Sequence, residues 1–120
     1  MEALLKILKS IPEFNQLAKS LSRGESAAGT GIGQINRSHM IAGIRQEFQR
    51  PIVILCQDDI AAKRLQEELK AFSDETAPSL PSRELTLYDA AVVSRAWEQK
   101  RLRQLYDLAG GRTPVQIFSL

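Results

Sequence analysis

Apolar residues recur along this chain at helical spacing, then in short β-branched runs, then at helical spacing again, and that alternation predicts its elements. The opening stretch EALLKILKS places Leu4, Leu5 and Leu8 at i, i+1 and i+4, and Ile11-Pro12 interrupts it because proline lacks an N–H and its ring disfavours helix continuation. A second helix from Pro12 to about Ser22 follows, with Phe14, Leu17, Ala18 and Leu21 on one face. Ala27 to Thr30 reads as a short strand of small residues. From Arg37 to Phe48, the spacing of Met40, Ile41, Ile44 and Phe48 predicts a helix. PIVIL, residues 51–55, predicts a strand buried on both faces of a parallel sheet. Asp58 or Asp59 then caps a helix running to Phe72, with Ile60, Leu65, Leu69 and Phe72 as its core stripe.

Two prolines punctuate PSLPSRELTLYD, residues 78–89, which reads as a short strand and an ordered loop. The longest helix is expected from about Val92 to Leu108, with Val93, Trp97, Leu102, Leu105 and Leu108 apolar and Gly110-Gly111 as its stop. PVQIFSL, residues 114–120, predicts a closing strand. Strands alternating with helices of this length predict an α/β domain, a right-handed parallel sheet flanked by helices, because each crossover helix must cover a face. Residues 1–22 form a helical lead-in and 23–120 the α/β body of a single domain. A strand at the very end of the chain reads as the front piece of a longer protein.

Composition narrows the functional classes. At 120 residues and 43% hydrophobic, one compact domain burying roughly two-thirds of its unfolded surface is expected. Sixteen Lys and Arg against 14 Asp and Glu leave a net charge of +2, too small to draw nucleic acid by bulk electrostatics. The single cysteine, Cys56, excludes an internal disulfide and a cysteine-rich zinc site. No apolar run approaches the roughly 20 residues that span a bilayer, so a soluble, cytoplasmic protein is expected.

The candidate chemistry lies in GIGQINRS, residues 31–38. A phosphate-binding loop follows G-x-x-x-x-G-K-[ST], in which glycines let backbone N–H groups wrap the anion and the lysine reaches the outer phosphates. Gly31 and Ser38 fill the outer positions, while Asn36 replaces the second glycine and Arg37 the lysine. Asn36 adds a Cβ where the backbone must approach the phosphate, and arginine is a larger fork than an ammonium. The expectation is a nucleotide-type fold whose loop has become structural. Residual anion binding by Arg37, Ser38 and the helix N-terminus is the alternative.

Three stretches together resemble the N-terminal region of the bacterial transcription-repair coupling factor family (Mfd): EALLKILKSIPEFNQLAKSL with the degenerate loop, RPIVILCQDDIAAKRLQEELKAF, and LPSRELTLYDAAVVSRAWEQKRLRQLYDL. In the third, Arg83-Glu84, Tyr88-Asp89, Ser94-Arg95 and Trp97-Glu98 recur at the family's spacing. That front end is itself similar to the damage-recognition subunit UvrB, whose corresponding loop is an intact P-loop. The resemblance implies a degenerate P-loop NTPase or helicase-like domain with no catalytic residue, cofactor or metal of its own. UvrB's aromatic damage-probing hairpin has no room between Tyr88 and the Trp97 helix. The parent implied is an ATP-dependent translocase on double-stranded DNA. It displaces stalled RNA polymerase and recruits UvrA for nucleotide-excision repair, with ATP and magnesium held in a motor downstream. Two other readings stay open: a nucleotide-hydrolysing fragment using Arg37, and an α/β binding module unrelated to repair.

The remaining reactive side chains read as structural. Asp58 and Asp59 resemble a magnesium-holding pair, but two residues separate the strand from Asp58 and a helix begins at once, which favours capping. His39, the only histidine, reads as surface or helix packing, Cys56 as a small buried hydrophobe and Trp97 as the core anchor of the last helix. Arg95, Lys100, Arg101 and Arg103 interleave with Glu98 and Asp107, the pattern of a solvated helix face.

Overall fold

The computed structural model describes residues 2–26, 31–81 and 95–120, with Ile35 described by its backbone alone. The expected strand at 27–30, the loop at 82–89 and residues 92–94 of the last helix lie outside the described residues. The chain is mixed α/β: α1 (Glu2–Leu8), α2 (Pro12–Ser22), α3 (Gln34–Phe48), β1 (Ile52–Cys56), α4 (Asp59–Lys70), β2 (Ser79–Leu80), α5 (Arg95–Ala109) and β3 (Val115–Ser119).

The three described strands form one parallel sheet in the order β1-β3-β2. The last strand is therefore the central one. Register pairs Ile52 with Val115 and Cys56 with Ser119 on one side, and Leu80 with Phe118 on the other. Ile52, Ile54, Cys56, Val115 and Ile117 share one face, where they meet Ala62, Leu65 and Leu69 of α4 and Ile41 of α3. Ile117 is fully buried at the centre of this core. A second core joins Leu5 and Leu8 of α1, Phe14 of α2 and Ala42 of α3, with Met40, Ile44 and Phe72 packed against it. The lead-in helices thus dock on α3. Gly43 permits this approach, because a Cβ there would overlap Leu8 Cδ1 and press on the Phe14 ring.

Between the cores and β2, Arg45 closes a bidentate pair on Glu75, Nε to Oε2 at 2.9 Å and Nη2 to Oε1 at 3.1 Å, and donates to the Arg50 carbonyl. It ties the end of α3 to the loop that leads into β2. No helix among the described residues is long and apolar enough to cross a membrane.

The structure corrects four sequence expectations. First, β1 is buried on one face only, with Val53 52% and Leu55 65% exposed. Helices α3 and α4 cover the face of Ile52 and Ile54, and nothing described covers the opposite face of this edge strand. Second, α3 begins at Gln34, three residues before the expected start, on an N-cap at Gly33. Third, Ile60 is 82% exposed, because it lies across the helix from the Ala62, Leu65 and Leu69 stripe. Fourth, Trp97 is half-buried and belongs to neither core; its ring carries the Arg101 guanidinium at 5.6 Å, and α5 buries no residue completely.

One polar group sits inside the sheet. Gln116 is fully buried, its Nε2 donating to the Pro78 carbonyl at 3.0 Å and facing Gln104 Oε1 of α5 at 3.4 Å. Replacing Ile117 by alanine removes the centre of the main core, and urea denaturation should show a loss of about 2–5 kcal/mol.

Candidate functional site: the loop and first turns of the third helix

Gly31 adopts φ of 70°, a left-handed conformation that favours glycine, so the turn alone accounts for this residue. The chain then enters α3 through Gly33, whose φ of −61° and ψ of 154° are extended, with no side chain capping the helix. Asn36, Arg37 and Ser38 consequently lie inside the helix. Its residues step by about 100° of rotation, so three in a row point three ways. The Arg37 N–H is already bonded to the Gly33 carbonyl at 3.1 Å.

Each side chain has a separate destination. The exposed Arg37 guanidinium donates from Nε to the Ile32 carbonyl at 3.2 Å, folding back over its own loop. Ser38 is fully buried, and its hydroxyl donates to Glu68 Oε2 of α4 at 2.6 Å. That bond joins α3 to α4. Asn36 borders a cavity of about 850 Å³ between α2 and α3 that Leu8, Phe14, Leu17, His39 and Met40 also line. Among the described residues that line it, Glu13 is the charged one, and none is a lysine or arginine. Gln16, Ser20 and Ser26 make the cleft one of mixed polarity, and the Glu13 carboxylate on its wall does not favour a phosphate.

His39 contributes to packing. Its ring stacks on Phe72 with centroids 5.0 Å apart, and Nε2 lies 2.6 Å from the Leu4 carbonyl, a bond that requires the Nε2–H tautomer or the imidazolium. It clips α1 to α3 and to the end of α4.

The acidic pair after β1 is divided between two structural tasks. Asp58 is the N-cap of α4, and its Oδ1 accepts from the Ala61 N–H at 2.7 Å. This backbone bond, followed by the Gln57 amide, holds the Asp58 carboxyl below the usual carboxylate range. Asp59 accepts from the Ser119 hydroxyl, fastening α4 to the end of β3. Cys56 packs against the main core, and burial, with Asp58 nearby, pushes its thiol pKa up, away from the thiolate a nucleophile needs. Among the described residues no three His, Cys, Asp or Glu side chains converge as metal ligands.

The four loop positions singled out in the sequence, Gly31, Asn36, Arg37 and Ser38, are close in space without converging on one point. What sequence reasoning missed is Glu68, the partner that turns Ser38 inward, and Ser119, the partner of Asp59. Neither has a local signal, since 30 and 60 residues separate the partners.

No family model, curated protein or solved structure matches the chain.

Two outcomes follow from this geometry. Ser38→Ala strands the half-buried Glu68 carboxylate without its donor, and should cost about 1.5–3 kcal/mol in urea denaturation; Ser38→Thr, which keeps the hydroxyl, should cost less. Because its pKa is lowered in the folded state, Asp58 stabilises the fold above the ordinary aspartate pKa of about 3.9, and that stability is lost as pH falls through the lower folded value. Asp58→Ala should therefore lower Tm at neutral pH, with the gap to wild type closing as the pH of the thermal scan is taken below 4.

Proposed function

We propose that this chain is a non-catalytic scaffold: a degenerate, helicase-like α/β domain of UvrB type from the N-terminal region of a transcription-repair coupling factor. The observation that carries the non-catalytic part is the divergence of the loop side chains, with Ser38 bonded to Glu68, Arg37 folded onto Ile32 and the Arg37 amide inside the helix ladder. A phosphate cradle needs free amides and a cation aimed at one point. Order along the chain supports the fold part: loop, helix, parallel strand, capped helix, and two crossovers between parallel strands. The coupling-factor part is supported by the three sequence stretches and above all by the Arg83-Glu84 to Trp97-Glu98 pattern.

In this reading the parent protein works in the cytoplasm. Its downstream motor binds ATP and magnesium and translocates on double-stranded DNA, and the parent engages RNA polymerase and UvrA. The domain's task is mechanical: it orients the UvrA-recruiting segment. An exposed Arg37 is the single feature that favours the rival reading, nucleotide hydrolysis with arginine in place of lysine. An unrelated α/β binding module is the third reading.

Calorimetric titration with magnesium and ATP should give no heat of binding for the wild-type chain, and none for Asn36→Gly/Arg37→Lys, since the helix already engages the Arg37 amide. Binding with a micromolar Kd by either protein would overturn the scaffold reading. A chimera tests the coupling part: this chain should replace the corresponding region of a bacterial coupling factor with strand-biased repair retained, and loss of that bias in a stably folded chimera would contradict it.

A further inference from the structure

The sheet carries a half-finished layer. Helix α5 connects β2 to β3, so the right-handed rule places it over those two strands on the face of Gln116, in agreement with the Gln104 to Gln116 contact. Beyond it, over β1, an edge strand among the described residues, Val53 and Leu55 point from the same face into solvent. The result is a trough one helix wide, with an apolar floor and α5 as its wall.

Helix α5 itself supplies a matching ridge. Leu102, Leu105, Tyr106 and Ala109 recur at i, i+3, i+4 and i+7, the spacing of a packing stripe, yet Leu102 is 66% and Tyr106 70% exposed. With Gln104 turned toward the sheet, a right-handed helix running antiparallel to the strands directs Leu105 sideways over β1, and Leu102 and Tyr106 outward. Ridge and trough are thus adjacent on one surface. A surface carrying both is complementary to itself, which is the condition for a two-fold symmetric pair.

We infer that two copies of this chain pair through α5. The two-fold axis runs along the strand direction, so that the α5 helices lie side by side and parallel, each in the trough over the partner's β1. Two sheets then enclose a layer of two helices. Charge agrees with this arrangement. Glu98 and Arg101 lie on opposite sides of Leu105 on the wall of the trough, one turn apart, and Glu98 has no ion-pair partner among the described residues. In the parallel pair Glu98 of each copy meets Arg101 of the other, giving two reciprocal pairs at the rim of an apolar seam. This inference does not depend on the repair reading.

Sedimentation velocity of the wild-type chain from low to high micromolar concentration should show conversion to twice the monomer mass. Leu102→Glu/Leu105→Glu should remain monomeric with an unchanged far-ultraviolet circular dichroism spectrum, since both side chains are outside the monomer's cores. Glu98→Arg and Arg101→Glu should each weaken the dimer about tenfold, and the two together should restore it. A wild-type chain that stays monomeric, a dimer that survives the double leucine substitution, or a charge swap without restoration overturns the proposal.

Discussion

Everything in this structure depends on β3, the last strand in the sequence and the central one in the sheet. It pairs with β1 across more than fifty residues and with β2 across more than thirty, so neither partner has a described neighbour until the end of the chain is in place. Its inward residues Val115 and Ile117 complete the main core, Ser119 fastens the start of α4, and Gln116 marks where α5 crosses. The crossovers follow from this order: α4 must cover one face and α5 the other. Among the described residues, one face is consequently covered by α3 and α4 and the other by α5 alone.

That asymmetry separates the two functional surfaces. On the covered side, α3 and α4 are locked by the Ser38 to Glu68 bond, by the Arg45 to Glu75 pair that fastens α3 to the loop beyond α4, and by His39 between Leu4 and Phe72. Groups that would serve phosphate chemistry in a working nucleotide site are here employed in packing. On the other side, Val53, Leu55 and the outer stripe of α5 are exposed.

Much of the fold was legible in local patterns. The helices at Glu2–Leu8 and Pro12–Ser22 follow from leucine spacing and Pro12, the cap at Asp58 from a polar residue just before an apolar periodic segment, and β1 and β3 from β-branched runs. What sequence did not disclose depends on long-range partners. An apolar run such as IVILC looks the same whether its second face meets its own chain or nothing described, so the exposure of Val53 and Leu55 was hidden. The start of α3 was missed because Gly33 caps it through backbone geometry, without a side-chain signal. Asn36 and Arg37 are visible in the sequence as departures from a phosphate-loop pattern; that Ser38 turns inward required Glu68, which no local pattern identifies.

The central claim is that the first turns of α3 serve packing and hold no anion. Amide chemical shifts of Gln34 to Ser38, followed by nitrogen-15 NMR during addition of magnesium and ATP, test it at the residues concerned. The account predicts that these five resonances stay in place up to millimolar nucleotide; saturable shifts confined to them, absent from the rest of α3, would contradict it.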